Sequence, residues 1–399
     1  MDSKIANSIY KEINKLSLYF KNNICKYLEQ NTNFIYSKKT SINDGLLFHL
    51  LKTQINSTQL SVSTSISLNN KNKISRQGLV KRSEDISVDN LNNIYTKLIN
   101  KFSVSSNDNL NHIDGTKINI YNKNNKKGYD TINLLGVVNN KNNPINLYKN
   151  NDNNKSEISL FYEYIDNNLY NIDKTIVLDR LYFSDKLIDK CYEKNINFIC
   201  RLKSNTKYLN KYKLLNKINK KITKNYNDYI EKVNNDKEIR IITFVKNKKT
   251  YHIASNLLDA KYDINYFINC YKKRWDVEIF FKITKANTNL DKIKTINKEK
   301  INKEIISINL VSFLYNYILN IYNKYTKNNK KINNSLFIKN FYEQLLYKII
   351  KGKLNLNLLS KILNIIIVFY YDSNKNNINP RYSIMPYTKW HYKYIFQKI

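Results

Sequence analysis

One segment in the middle of the chain most constrains how it can fold. Residues 176–178, Ile-Val-Leu, form a short apolar run typical of a buried strand, and Asp179 follows directly. Ser184 can cap a helix that ends near Lys194, and residues 196–202 have the composition of a second strand. A strand, a carboxylate, a helix and a strand in this order place acids at strand ends in α/β folds. The segment therefore predicts an α/β fold with an acid at a strand end.

A second acid lies upstream. Residues 113–120 alternate between apolar and polar as a strand does, with Asp114 and Gly115 among them. An Asp-Gly pair is by default a turn, so this pattern leaves a strand and a turn open. Gly115, which has no side chain, would leave free space beside the Asp114 carboxylate. Residues 129–138 predict another strand, and the Asn-rich residues 139–155 predict a polar loop.

A third acid lies in residues 271–285, YKKRWDVEIFFKITK, which we interpret as one helix. At about 100° per residue, one polar stripe of this helix spans an arc of roughly 80°. The members of that stripe are Tyr271, Arg274, Glu278, Lys282 and Lys285. Two interpretations are open. The helix is either half-exposed with ion pairs four residues apart, or packed so that one carboxylate, framed by cations, points at a phosphate site.

Composition narrows the class of partner. Lys and Arg number 67 against 32 Asp and Glu, which gives a formal net charge of +35 at pH 7. A field of that sign favours a polyanion, either nucleic acid or an acidic membrane face, and predicts binding that weakens with salt. Only seven of the basic residues are Arg, in a chain rich in the residues of A/T-rich codons. Each Arg therefore indicates a site where a phosphate or carboxylate needs the planar set of N–H donors that Lys cannot supply.

Other classes of protein are disfavoured. The four Cys residues are scattered, without a Cys-x-x-Cys pair or a neighbouring His, which argues against zinc and favours reduced thiols inside a cell. The first residues contain no apolar signal core. The longest uncharged stretch, residues 305–322, carries Ser and Asn side chains that are costly in lipid. We expect this stretch to be a buried helix and not a membrane span.

Four short motifs follow one another along the chain. They are Asp-Gly-Thr at 114–116, Asp-Arg-Leu-Tyr at 179–182, Arg-Leu-Lys at 201–203 and Y-x2-R-x3-E-x6-K from Tyr271 to Lys285. Together they resemble the signature of the insertion-sequence-four (cut-and-paste) family of DDE transposases. The resemblance implies an α/β fold: an RNase H-like mixed sheet flanked by helices, with a β-rich insertion and with helical N- and C-terminal regions. It also implies metal-dependent DNA cleavage and strand transfer at transposon ends.

The resemblance assigns roles to individual residues. Asp114, Asp179 and Glu278 would be the catalytic carboxylates and would bind two Mg²⁺ or Mn²⁺ ions. The residues expected to contact DNA are Tyr271, Arg274, Lys282, Lys285, Arg180, Arg201, Lys203, Arg76 and Arg82. The implied partners are double-stranded DNA, both terminal inverted repeats and target, and a second copy of the chain in a homodimer on paired ends. We expect an intracellular protein, located wherever the DNA is, with no membrane partner.

The same resemblance divides the chain into three regions. Residues 1–106 form a helical region expected to help bind the transposon ends, although a plain basic helical bundle explains Arg76 and Arg82 equally well. Residues 107–299 form the RNase H-like catalytic domain, with the β-rich insertion at about 204–250. Residues 300–399 form a mainly helical C-terminal region.

Two alternatives to an active transposase are open. One is a domesticated or inactive transposase-derived DNA-binding protein. Leu181 favours it weakly, because the family's motif has Gly there and Leu removes a permissive backbone position, whereas the intact set of three acids argues against it. The other is a basic helical protein that binds membranes or RNA and matches the motifs by chance.

Overall fold

A single eight-stranded sheet lies at the centre of the protein. The structure, a computed structural model, describes residues 3–32, 40–70, 74–102, 110–122, 124–126, 128–139, 144–149, 155–167, 175–210, 226–233, 237–246, 248–326, 330–331, 333–368 and 371–372. The strands of the sheet are β1 (Leu110–Tyr121), β2 (Tyr129–Asn139), β3 (Pro144–Tyr148), β4 (Thr175–Leu178), β5 (Asn197–Arg201), β6 (Tyr226–Lys232), β7 (Glu238–Lys246) and β8 (Lys249–Ser255).

The strand order is β3-β2-β1-β4-β5-β8-β7-β6. The neighbours β1, β4 and β5 run parallel, and all other neighbouring strands of this sheet run antiparallel. The predicted α/β class with a mixed sheet and a β-rich segment after β5 is therefore confirmed. The prediction that residues 139–155 form only a polar loop is wrong, because β3 pairs with β2 there.

Fourteen α-helices occur among the described residues. They are α1 (Ser3–Tyr19), α2 (Cys25–Asn31), α3 (Ile42–Lys52), α4 (Gln59–Asn69), α5 (Arg76–Glu84), α6 (Val88–Phe102), α7 (Glu157–Asn167), α8 (Asp185–Glu193), α9 (Ile264–Lys273), α10 (Trp275–Asn287), α11 (Lys298–Thr326), α12 (Asn334–Asn340), α13 (Leu346–Ile350) and α14 (Leu356–Val368). Short π-helical segments join α1 to α2 and α12 to α13. Ser41, Thr58 and Ser75 occupy the N-cap positions of α3, α4 and α5, as expected for a series of short capped helices.

Both faces of the sheet are covered, and the alternation of side chains along β4 shows how. Ile176 and Leu178 pack on one face against α7 and α8. Val177 points to the other face, where α9 covers β4 and β5, while α10 and the first part of α11 cover β1 and β2. A strand buried on both faces has a continuous apolar sequence, which is why residues 176–178 predicted β4.

The N- and C-terminal helices share one hydrophobic core. Buried side chains of α1–α6, of the second half of α11 and of α12–α14 form a single cluster, which we call the helical body. Helix α11 links this body to the sheet, because Ile305 packs beneath β1 and β2 whereas Phe313 lies in the helical body. On length and composition α11 could cross a membrane, but 83% of its most apolar window is buried inside the protein. The prediction of a buried helix over residues 305–322 is confirmed.

Candidate active site

The register of β1 and β4 brings two acids side by side. His112 of β1 pairs with Val177 of β4, and this is the last pair between the two strands. Asp114 lies two residues beyond His112 and Asp179 two residues beyond Val177, so both acids follow the point where the pairing ends. Asp114 and Gly115 pair with β2 inside a continuous strand, so the turn interpretation of this Asp-Gly pair is wrong.

The third acid comes from a helix that breaks where the sequence predicted continuity. Helix α9 ends at Lys273 and α10 begins at Trp275, so the interpretation of residues 271–285 as one helix is wrong. Around the break the hydrogen bonds span three residues: Arg274 N–H donates to the Tyr271 carbonyl (3.1 Å) and Val277 N–H donates to the Arg274 carbonyl (3.2 Å). A turn of this kind is tighter than an α-helical turn.

Arg274 joins the first and third acids. Its Nη1 lies 3.1 Å from Asp114 Oδ2, and its Nη2 lies 2.6 Å from Glu278 Oε1. The Tyr271 hydroxyl donates to Asp179 Oδ1 at 3.2 Å. Three acids that are 65 and 99 residues apart in the chain therefore converge on one Tyr–Arg pair from three separate elements. We call this group, Asp114, Asp179, Glu278, Tyr271 and Arg274, the carboxylate site.

Burial and charge act against each other in the carboxylate site. Burial raises the pKa of Asp114 to about 6, because the Arg274 charge and the Gly115 N–H only partly offset the lost hydration and Glu157 and Glu278 add repulsion. Burial by itself would lower the pKa of Arg274, but Tyr271, Glu278 and Asp114 raise it above its ordinary value. The guanidinium is therefore a permanent cation among acids.

Glu157 is a neighbour of this site that sequence reasoning missed. It is the first residue of α7, and its carboxylate fills the position where a Cβ atom of residue 115 would lie. The expected free space beside Gly115 is thus occupied by Glu157, and the expectation is wrong. The sequence contains a signal for this helix. Ser156 is a typical helix cap, and Leu160, Phe161, Tyr164 and Ile165 follow it at helical spacing; in the structure Ser156 accepts from the Ser159 N–H.

The predicted DNA-contacting residues fall into three groups. Tyr271 and Arg274 belong to the carboxylate site, and Arg201 follows Cys200, which pairs with the last residue of β4 next to Asp179. Arg180, Lys203, Lys282 and Arg76 are exposed.

The third group is held by protein contacts. Lys285 donates to the Lys117 carbonyl (2.6 Å) and pairs with Asp291 (3.1 Å). Arg82 donates to Thr40 and pairs with Asp85 at 3.2 Å. Arg76 and Arg82 both lie on α5, a helix of the helical body, and neither belongs to the carboxylate site.

The donors of the carboxylate site suit a hard divalent cation. Carboxylate oxygens are the ligands that Mg²⁺ and Mn²⁺ prefer. A cation, the Arg274 guanidinium, already lies where Asp114 and Glu278 meet, and its buried Nε has no hydrogen-bond partner among the described residues. In this arrangement no three acids, His or Cys within the described ranges are close enough to hold one ion. The residue types of the site therefore suit divalent metals, while in this arrangement Arg274 lies between Asp114 and Glu278.

The remaining metal-binding residue types have structural roles. Cys25, Cys191, Cys200 and Cys270 are all free and buried. His252, in β8, lies 2.8 Å from the Thr243 hydroxyl through Nδ1. The four unpaired Cys residues agree with the expectation of reduced thiols. Arg381 and Trp390, which stand among aromatic residues and lysines in the sequence, lie outside the described residues.

Comparison with known proteins identifies the family. The family model of the transposase DDE domain matches residues 106–314, more than half of the 399-residue chain. The matched region contains β1, β4 and α10 and with them Asp114, Asp179 and Glu278. No curated protein matches the chain. The fold is accordingly the RNase H-like α/β fold of that family with helical regions at both ends, and the chain belongs to the transposase DDE domain family.

Proposed function

We propose that this protein is an active cut-and-paste DNA transposase of the insertion-sequence-four type, with Asp114, Asp179 and Glu278 as its catalytic carboxylates. The observation that carries the proposal is the convergence of three acids from β1, β4 and α10 on Tyr271 and Arg274. An α/β scaffold that only needed stability would gain little from burying acids around one cation. Metal-dependent cleavage of phosphodiesters needs carboxylates brought together to hold the ions.

The proposed chemistry has two steps on DNA. In the first, a water oxygen forms a bond to phosphorus at the transposon end and the bond from phosphorus to the 3′ oxygen breaks, which leaves a free 3′-hydroxyl. In the second, that hydroxyl attacks a phosphorus of the target strand and displaces the target's own 3′ oxygen. Two Mg²⁺ or Mn²⁺ ions, when bound, would supply charge neutralisation at the phosphate and activation of the attacking oxygen.

The side chains of the carboxylate site have separate tasks in this proposal. Asp114, Asp179 and Glu278 hold the ions through carboxylate oxygens. Arg274 leaves its bridging position between Asp114 and Glu278 and binds a DNA phosphate, for which its planar fork is suited. Tyr271, whose hydroxyl bonds to Asp179, orients that acid until DNA arrives.

The proposed DNA path extends from the carboxylate site across exposed cations. Arg180 directly follows Asp179. Lys203 lies two residues after the end of β5, Lys282 lies on α10, and both are exposed. With a net charge of +35 the protein would bind DNA in a strongly salt-dependent manner. Arg201 and Lys285 would join this path, Lys285 after exchanging its contact with Asp291 for a phosphate.

The assembly and the division of labour along the chain are part of the same proposal. Residues 1–106 would recognise terminal inverted repeats with Arg76 and Arg82, residues 107–299 would cut, and residues 300–399 would brace the first two regions. Support for the last point is that the C-terminal helices share the core of the helical body with α1–α6. Two copies would act on paired ends, in an intracellular compartment that holds DNA.

The inactive alternative rests on Leu181, and its local backbone weakens that argument. Leu181 is 45% exposed and is not among the described residues with positive φ, which are Asn56, Asn195, Lys248, Gly128 and Gly352. A left-handed conformation would have required Gly. Here Leu is accommodated without backbone strain, so the substitution gives no reason for lost activity.

A nicking assay tests the proposal. The substrate is a DNA fragment carrying the terminal repeats that flank the gene, with Mg²⁺ present. We expect the wild type to nick the strand at the repeat end, and Asp179→Asn and Glu278→Gln to bind the fragment but not cleave it. Cleavage by either variant at the wild-type rate would refute the assignment. DNA binding without cleavage by the wild type would support the inactive alternative.

A further inference from the structure

We propose that Glu157 is a positioning residue for the carboxylate site: through its contacts with Tyr182 and Gly115 it holds the segments of Asp179 and Asp114 in place. The inference rests on the proposed function and adds a residue that none of the four sequence motifs contains. Glu157 acts through these two segments and not by touching DNA or a metal ion.

The turn after β4 is anchored at its last residue, Tyr182. The backbone N–H of Tyr182 donates to the Asp179 carbonyl at 3.1 Å, so residues 179–182 form a hydrogen-bonded turn. The side chain of Tyr182 is fully buried. Its hydroxyl donates to Glu157 Oε1 at 2.6 Å, and its ring packs against the Phe161 ring with the centroids 4.8 Å apart. Helix α7 therefore holds Tyr182 at two points, and through it the turn that begins at Asp179.

The same carboxylate packs against the strand that carries Asp114. Neighbouring residues of a strand point to opposite faces, so Asp114 faces α10 and Gly115 faces α7. A Cβ atom on residue 115 would lie only 2.0 Å from Cδ of Glu157, so the acid fills the space that the glycine leaves. The Gly115 N–H donates to Asp114 Oδ1 at 3.0 Å. Glu157 therefore lies against the residue whose N–H orients the Asp114 carboxylate.

A carboxylate suits this position better than an apolar side chain. The Tyr182 hydroxyl is buried, and a buried donor that lacks an acceptor destabilises the fold. A carboxylate is the stronger acceptor, because a hydrogen bond to a charged group is shorter and stronger than one between neutral groups. Tyr271 and Arg274 contact the aspartates from the side of α9 and α10. Glu157 thus supports from the α7 face what these two residues join on the other.

The same helix contains a matched control pair. Glu163 of α7 also accepts a hydrogen bond from a tyrosine hydroxyl, that of Tyr148, at 2.7 Å. This pair has the residue types and the helix of the Glu157–Tyr182 pair. Tyr148, however, lies on β3, which carries none of the three acids of the carboxylate site. A role limited to the stability of α7 would therefore affect both pairs alike.

Single-turnover cleavage of the terminal-repeat fragment by the full chain, with Mg²⁺ present, tests the inference. We expect Tyr182→Phe and Glu157→Ala each to lower the cleavage rate at saturating protein about 10–100-fold, as is typical for residues that orient metal ligands. The affinity for the fragment should stay that of the wild type, because neither residue contacts DNA. Glu157→Gln keeps an acceptor for the Tyr182 hydroxyl and should lose less of the rate. Tyr148→Phe and Glu163→Gln should cleave like the wild type.

The double variant shows whether the two residues act through one contact. Glu157→Ala combined with Tyr182→Phe should be no slower than the slower single variant, whereas independent roles would multiply the two losses. Circular dichroism melting curves check that each variant is folded. If Glu157→Ala does not fold, Tyr182→Phe and Glu157→Gln decide the test.

The outcomes separate this inference from the proposed function. Folded Tyr182→Phe and Glu157→Ala variants that cleave at the wild-type rate, while Glu278→Gln does not cleave, would overturn the inference and leave the proposed function standing. Equal losses in the control pair would assign the effect to the stability of α7 and would also overturn it. Wild-type chain that binds the fragment without cleaving it would overturn the proposed function and the inference with it.

Discussion

The helical body and the carboxylate site treat a buried aspartate in opposite ways. In the helical body, the Asp44 carboxylate accepts hydrogen bonds from Lys351 Nζ (2.6 Å), the Ser41 N–H (2.8 Å) and the Asn70 amide (3.2 Å). Burial raises the pKa of Asp44, but these contacts outweigh it and the net shift is downward. Asp114 in the carboxylate site shares one guanidinium with Glu278, and burial raises its pKa to about 6.

The two aspartates differ in how far protein contacts compensate their charge, and this indicates which acid stabilises the fold and which could bind a ligand. Asp44 has its own cation and its own N–H donors, so adding a metal would displace favourable contacts. Asp114 shares the Arg274 guanidinium with Glu278, and the negative charge of Glu157 also acts on it, so a divalent ion would relieve repulsion. Acids of the helical body are therefore expected to control stability, and acids of the carboxylate site to control metal binding.

The largest effect on stability is expected from Lys351→Met. The substitution removes the ion pair between Asp44 of α3 and Lys351 and leaves the buried Asp44 charge without its cation. We expect it to lower the free energy of unfolding by about 3–5 kcal/mol. Urea unfolding followed by circular dichroism measures the loss. Lys353→Met, at an exposed position two residues later, is the control and should leave the unfolding free energy near that of the wild type. A loss below about 1 kcal/mol in Lys351→Met, the value of a surface pair, would contradict the role given to Asp44.

His49 in the helical body should make stability depend on pH. Burial lowers its pKa to about 4, with help from the charges of Lys303 and Lys52 and against the hydrogen bond to the Ser83 carbonyl. The unfolded chain, with an ordinary His pKa near 6.5, is protonated at His49 at pH values where the folded chain is not. The stability contribution is therefore full above about pH 6.5 and falls by about 3 kcal/mol as the pH drops to about 4. Urea unfolding across this range should show a flatter dependence for His49→Gln. Equal slopes for the variant and the wild type would contradict the assignment.

Gly115→Ala tests how closely the carboxylate site is packed. Its Cβ would overlap the Glu157 carboxylate, and such overpacking costs about 1–3 kcal/mol of stability. In a Glu157→Ala background the same substitution should cost much less, because the overlapping group is gone. A double-mutant cycle by urea unfolding gives the coupling between the two positions. Equal costs in both backgrounds would show that Glu157 is not the group that demands glycine.

The smallest expected effect is that of Arg274→Lys on DNA cleavage. Lysine keeps the charge but cannot bridge two acids or grip a phosphate with a planar fork, so we expect about a tenfold lower rate, equivalent to one lost charged hydrogen bond of roughly 1.4 kcal/mol. The nicking assay measures this rate. Lys272→Arg, at an exposed position two residues earlier, serves as the control. Cleavage by Arg274→Lys at the wild-type rate would remove the special role of arginine here.

Local sequence signals predicted the elements that carry the aspartates, and their physical basis is clear. The apolar run before Asp179 is β4, the alternation around Asp114 is β1, and Ser184 caps α8 as expected. Strands buried on both faces and capped helices leave short-range signatures. The assignment of the three acids, by contrast, depended on the motif resemblance, since 32 acids were available and spacing alone selects none of them.

What the sequence did not predict depends on contacts between remote segments. The break at Arg274 leaves no mark in the apolar and polar pattern of residues 271–285, and it is visible only in backbone hydrogen bonds that span three residues instead of four. The strand β3 lies in an Asn-rich segment whose pairing with β2 is a tertiary contact. Glu157 was missed because no element was predicted between residue 155 and the strand at 176–178, and its relation to Gly115 depends on the packing of α7 against the sheet.

The most direct test of the central claim is anomalous scattering from crystals of the full chain soaked in Mn²⁺. We expect manganese peaks in contact with Asp114, Asp179 and Glu278, with the Arg274 side chain turned away from its bridge between Asp114 and Glu278. Crystals in which Arg274 keeps that bridge and manganese is absent from all three acids would contradict the account.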